Sequence, residues 1–301
     1  MLSAKRSIFF LLCWLAGGLA AGESLPLFVA TVPPAAMLLE EIAGARAEVR
    51  CLLPPGASPH NYDPRPSDAR LVEKAGILVW GSPLLDAWAA RMGGASRICL
   101  MSLVPSALRL PACGEKCVHD TDGSKREKHG EEEGDPHFWL DPLTVRQMLP
   151  KLAGELARRD PAGRGGYEKR AEDFALRLDR LHMDLEAQFA AVKGAKVVLF
   201  HPSFLYLLKR YGLEFCGAIE PFPGKEPTLR YLQETTRKIK AAGARAVFSE
   251  PQLPRRPAEA LAEMTGLKVF VLDPVGGVEG RRTYEELLRY NARVLVEALR
   301  P

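Results

Sequence analysis

The chain has 301 residues, of which 47% are hydrophobic and 26% charged, an ordinary globular composition. A formal net charge of +4, with no basic stripe interleaved with aromatic residues, argues against a nucleic-acid partner. The length allows two domains, or one large one, with ample apolar core.

The first residues, MLSAKRSIFFLLCWLAGGLAAGES, read as a secretory signal covering 1–22. Lys5 and Arg6 form the positive region, Ile8 to Leu15 the apolar core, and Gly18 to Gly22 the small-residue cleavage zone. The apolar run is shorter than the ~20 residues of a spanning helix. Cys13 follows Leu12 rather than a small residue, which argues against a lipid anchor. Export then implies oxidising conditions for the five remaining cysteines, Cys51, Cys99, Cys113, Cys117 and Cys216. Cys113 and Cys117 lie four apart in a polar loop and form the favoured pair. Cys51 and Cys99 sit in strand-like runs and are expected to be buried.

Apolar runs bounded by turn residues follow: LFVATV (27–32), VRCLL (49–53), ILVW (77–80) and RICLMS (97–102). After position 192 come VVLF (197–200), EFCGAI (214–219), AVFSE (246–250) and VFVLD (269–273). Helix-like stretches such as AAMLLEEIAGA and DARLVEKAG separate most of them, a pattern of parallel βαβ units. Between the halves, Phe174, Leu178, Leu181, Leu185, Phe189 and Val192 recur at spacings of three and four. That stripe predicts one long amphipathic helix over about 167–192, on the order of 40 Å in length. The fold class expected is therefore α/β: two similar lobes, each with a roughly four-stranded parallel sheet flanked by helices, joined by one rigid helix. The divisions are 23–142, 143–192 and 193–301, with 114–136 a charged mobile surface loop.

In open parallel sheets ligands bind at the carboxyl ends of the strands. There VVLF runs into His201, VFVLD ends on Asp273, and VRCLL leads through PPGASPHNYDPRP to His60. Five prolines in that thirteen-residue loop restrict the backbone around a single imidazole. His137 sits in the proline-bracketed turn DPHFWLDP (135–142). Three imidazoles and a carboxylate form a ligand set suited to four-coordinate Zn²⁺. Glu250 also ends a strand before a proline, and the residues alone do not separate it from Asp273. His182, at the edge of the helix stripe, reads as structural. His119 and His129 fall in the charged loop.

The stretches PHNYDPRPSD, DPHFWLDP, FHPSFLYLLKRYGLE and VLDPVGG, with FSEPQL and EPFPGKEPT, resemble the solute-binding proteins of metal-transporting ABC systems, the cluster of zinc-binding periplasmic proteins and their manganese-binding relatives. The resemblance spans essentially the whole mature chain. It implies a metal held between two lobes by His60 and His137 from the first, and His201 and Asp273 from the second. It also implies one Zn²⁺ per chain as cargo, with Mn²⁺ as the alternative, and delivery to an ABC permease and its ATPase. Manganese-selective relatives tend to carry a glutamate at the position of His201, so the imidazole favours zinc. Zinc-specific relatives often have a dense histidine run in the charged loop, which here holds only His119 and His129. A monomer free in a Gram-negative periplasm is expected, touching the membrane only through the permease. The rival readings are a zinc hydrolase, for which HExxH is absent and Glu250 is the only evident base, and an adhesin. The expectation is a receptor and not an enzyme, with affinity falling as pH drops below roughly 6.5.

Overall fold

The computed structural model describes residues 25–112, 134–220 and 228–300. The signal segment, Cys113, Cys117, His119 and His129, and most of the charged loop, lie outside the described residues.

The first lobe runs β1 (Leu27–Ala30), α1 (Pro33–Ala43), β2 (Glu48–Cys51), α2 (Pro66–Lys74), β3 (Ile77–Trp80), α3 (Pro83–Asp86), β4 (Ser96–Cys99) and α4 (Leu100–Leu103). Two long helices follow, α5 (Pro142–Arg159) and α6 (Arg164–Phe189). The second lobe runs β5 (Lys196–Leu199), α7 (Leu205–Tyr211), β6 (Glu214–Ala218), α8 (Leu229–Ala242), β7 (Ala246–Ser249), α9 (Arg256–Thr265), β8 (Lys268–Val271) and α10 (Tyr284–Leu299). All pairings are parallel, in the orders β2-β1-β3-β4 and β6-β5-β7-β8. The two lobes thus repeat one topology, as the alternation of apolar runs predicts.

Central strands are apolar on both faces because helices cover both sides. Val29, Ala30, Leu78 and Val79 are fully buried, as are Val197, Val198, Ala246 and Val247. Edge strand β2 is mostly exposed. This corrects the expectation for Cys51, which is exposed at the end of that edge, while Cys99 is half-buried. The run RICLMS also splits: the strand stops at Cys99, and Leu100–Leu103 turn into α4. Proline opens α1, α2, α3 and α5 within the first two positions, where its missing N–H costs nothing. At the other end, α8 stops on Gly243 at φ +68°, a left-handed conformation that glycine adopts without a Cβ penalty.

Helix α6 has 26 residues, roughly 39 Å at 1.5 Å per residue. The whole predicted stripe from Phe174 to Val192 is buried. It does not bridge open space. One apolar core runs from Phe28 and Leu39 through Leu149, Phe174 and Leu185 to Leu199, Leu208 and Leu295, so both lobes share packing along the helix. Arg177 of α6 pairs with Glu41 on α1 and with Glu285 on α10, pinning the helix to each lobe. Separate clusters fill the outer face of each sheet, around Val29 and Leu78 in the first and around Val198 and Val247 in the second.

Candidate metal centre

In each sheet the chain leaves a central strand to one side and then crosses to the other. This opens a crevice at the carboxyl ends of β1 and β3, and of β5 and β7, the usual place for a ligand in such sheets. His201 follows β5 by two residues and Glu250 directly follows β7. His60 arrives on the β2–α2 loop. Trp88 Nε1 donates to the Pro59 carbonyl at 3.1 Å, and the Tyr62 ring meets Trp88 edge-on at 5.2 Å. The Tyr62 hydroxyl donates to Asp68 Oδ2 at 2.7 Å, and the same oxygen accepts the Arg65 N–H. Prolines restrict this loop, and these contacts anchor it.

Most polar groups of DPHFWLDP are tied down, although Asp135 Oδ2 is buried without a hydrogen-bond partner. Asp135 Oδ1 accepts the His137 N–H at 3.0 Å and faces His137 Nδ1 at 2.8 Å. A proton on Nδ1 leaves Nε2 as the free lone pair, the usual carboxylate–histidine arrangement behind a metal. Trp139 Nε1 donates to the Pro274 carbonyl at 2.8 Å, and Tyr284 donates to the Trp139 carbonyl at 2.6 Å. Asp141 caps α5 through the Leu143 N–H and takes both arms of Arg210 from α7, at 2.9 and 2.7 Å. One turn of the first lobe is thereby fastened to the second lobe beside His137.

His60, His137 and His201 converge. One ring nitrogen from each lies within 4.8 Å of the others, and the ring centroids are 5.6, 5.2 and 5.2 Å apart. Three nitrogens on a tetrahedral Zn²⁺ at ~2.0–2.1 Å would stand ~3.3 Å apart, so small ring rotations suffice to close the set. His60 Nε2 and both nitrogens of His201 are buried without a hydrogen-bond partner, an expensive arrangement that a cation relieves. Burial, then the neighbouring His137, pushes His60 down to about 3, opposed by a hydrogen bond to the Leu84 backbone. His201 is pushed well below the ordinary imidazole value by burial first, then by His137 and His60. Both rings are therefore neutral near pH 7, the state in which an imidazole ligates. This shifts the expectation of weakening below 6.5, since protons compete for these two rings only at lower pH.

Asp273 does not join the convergence. It lies two residues past β8, buried, with Oδ1 accepting from Gln252 Nε2, Val275 N and Gly276 N at 2.9–3.0 Å. Its Oδ2 is 3.0 Å from Arg281 Nε. Both oxygens are engaged within the second lobe, and neither completes the histidine cluster. Glu250, the rival, lines the cavity that holds the three imidazoles. Its Oε1 accepts from Ser203 Oγ at 2.6 Å. Burial, reinforced by Asp273 and Glu220 and opposed by Ser203, pushes its carboxyl up to about 8. Sequence reasoning missed Asp135, Gln252, Arg210 and Arg281; of these, the Asp-Pro-His spacing of Asp135 was the one readable signal. His182 faces the Tyr211 hydroxyl at 3.4 Å, away from the cluster, as its structural reading requires.

The family model for component A of periplasmic zinc-uptake complexes, ZnuA, matches residues 28–298. A Thermotoga maritima protein named for metal binding is 29% identical across 98% of this chain and all of its own length. The high-affinity zinc uptake system protein ZnuA of Brucella abortus is 27% identical, covering 98% of each chain. A crystal structure of ZnuA superposes with a TM-score of 0.76 at 25% identity, over 92% of this chain and 100% of the other.

Proposed function

The chain belongs to the family of periplasmic components of zinc-uptake complexes, and from that premise we propose that it captures Zn²⁺ between its lobes through His60, His137 and His201 and delivers it to an ABC-type permease. The observation that carries this reading is the convergence of three buried imidazoles, two of them with unpartnered nitrogens. Nitrogen donors suit Zn²⁺ better than Mn²⁺. Asp273, the fourth donor that the resemblance implies, would have to release Arg281 and two backbone amides before it reached the ion.

The family is one of solute receptors, and the chain is proposed as a receptor rather than a hydrolase. It would act in the periplasm, exported by the segment 1–22, as a monomer with its permease and ATPase on other chains. The described residues contain no helix long and apolar enough to cross a membrane.

The test is metal content. Purified mature protein is stripped with chelator and offered equimolar Zn²⁺ and Mn²⁺, and the bound metal is counted by mass spectrometry. A single zinc per chain, lost in His60→Ala and in His201→Ala, is the expected result. Bound ion stabilises the folded state, by about 2.7 kcal/mol at a hundredfold excess over Kd, so melting rises with zinc. Preference for manganese would keep the receptor but change its cargo, and no tight metal at all would remove the reading.

A further inference from the structure

An ion held between the lobes must leave through the opening of their cleft, so a partner that receives it has to cover that opening. The side chains exposed on the rim are the ones such a partner meets. On the first lobe the rim is apolar. The Leu84 backbone hydrogen-bonds His60, while the Leu84 side chain is left 36% exposed, beside an exposed Pro83. On the second lobe Leu253 lines the wall of the histidine cavity. Arg255 and Arg256 follow it, both exposed, and two chain steps put the Arg255 Cα at most ~7.6 Å from that of Leu253.

Nothing in the fold calls for two arginines there. Among the described residues neither guanidinium has an ion-pair or hydrogen-bond partner, and Glu259, one turn along α9, bridges to neither. Arg255 caps α9 and Arg256 is its first residue, the helix end at which the dipole disfavours cations. They also place positive charge beside a cavity that takes a cation, which opposes capture at close range. The His60 loop does not balance them, since its exposed Asp63 and Arg65 are opposite in sign. Carboxylates on a covering partner would remove both penalties, because guanidinium groups pair with them in a two-pronged geometry.

We infer that the cleft rim is a two-part docking face for the permease, with Pro83 and Leu84 seated on apolar surface and Arg255 and Arg256 paired with carboxylates on the permease's outward face. The inference rests on the zinc-receptor reading above and adds the place and sign of the contact. Charges on a rim govern how fast partners associate and how strongly salt slows them. The apolar contact governs how long the complex lasts.

The experiment compares zinc-loaded wild type with the double variant Arg255→Glu, Arg256→Glu and with Leu84→Ser. Each is offered to the permease–ATPase pair of the same cell in nanodiscs of neutral lipid, and association is followed on a biosensor over a range of salt. Chelator competition gives zinc affinity, and a thermal melt checks folding. The double variant should hold zinc as wild type does and melt no lower, since glutamate suits a helix N-terminus. It should associate with the permease about 10–100-fold more slowly and lose the salt dependence. Leu84→Ser should shorten the life of the complex without slowing its formation. An unchanged association rate and salt slope in the double variant would overturn the inference and leave the receptor reading intact. Wild-type binding to vesicles of anionic lipid, lost in the double variant while permease association is kept, would overturn it in favour of a lipid surface. Failure of the wild type to bind zinc would remove the inference and the reading together.

Discussion

The two sheets share one strand order, so the groups at their crevices can be compared position by position. In the first lobe Asp86 lies at the carboxyl end of β3, facing Thr31 after β1. It accepts from Thr31 Oγ1 at 2.5 Å and from the Gly81 and Ser82 amides at 2.9 Å. In the second lobe Glu250 follows β7 and shares its crevice with His201 after β5. Ser203 is its donor there, and it faces a cavity. Burial raises both carboxyls, yet Gly81, Thr31, Ser82 and the backbone of Asp86 itself all oppose the shift at Asp86. A buried carboxyl surrounded by donors is part of the framework. One short of donors and set beside empty imidazole nitrogens is available to a ligand. The first lobe accordingly supplies its histidines from loops outside its sealed crevice, and the second supplies His201 from within its own.

The comparison breaks most visibly at Asp86. Asp86→Ala strands two amides and a hydroxyl, and is expected to cost about 3–5 kcal/mol in urea unfolding. If it folds, zinc affinity should be nearly unchanged; a large loss of affinity with little loss of stability would reverse the two roles.

Acid should act on the histidine cluster next. His60 falls from 6.5 in the unfolded chain to about 3 in the fold, so the unfolded state binds more protons between those values. The metal-free protein then loses stability as pH drops from 6.5 toward 3, by up to about 1.4 kcal/mol per pH unit for this one group. Metal-free urea melts at pH 7, 5.5 and 4 would show it, and His60→Gln should flatten its share of the slope.

Glu250 has the opposite sign. Its folded value of about 8 exceeds the unfolded 4.5, so the fold retains a proton that the unfolded chain gives up, and stability falls as pH rises between them. Glu250→Gln should stabilise the metal-free protein at pH 7 by about 1–3 kcal/mol. A variant that melts lower than wild type at pH 7 would count against this assignment.

The smallest effect concerns how the first lobe holds its loop. Trp88→Phe removes the donor to the Pro59 carbonyl and should cost about 1 kcal/mol. Zinc affinity should drop only a few-fold if prolines already limit the loop.

Much of this architecture was legible because it is periodic. Runs buried on both faces mark β1, β3, β5 and β7, and the three-and-four spacing from Phe174 to Val192 marks the buried side of α6. Where a run crossed an element boundary the reading slipped, as at RICLMS, because Leu100 and Met101 are as apolar in α4 as they would be in a strand. Cys51 misled for a related reason: an apolar neighbourhood in sequence does not tell an edge strand from a central one. The strand-end rule found His201 and Asp273, and the proline-bound loops found His60 and His137, since rigidity around a lone imidazole is a local property.

What the sequence by itself determined is therefore the repeated α/β topology, the long helix and the three imidazoles, all of which follow from local period and turn chemistry. What only the tertiary structure decided is how the acidic groups divide the work. Asp273 and Glu250 end strands in the same way on paper. Arg281 lies eight positions after Asp273 and Ser203 arrives from another strand end, and these partners separate the two carboxyls. A carboxylate's role depends on the donors and the space around both of its oxygens, and chain folding brings those together from positions that no local pattern connects.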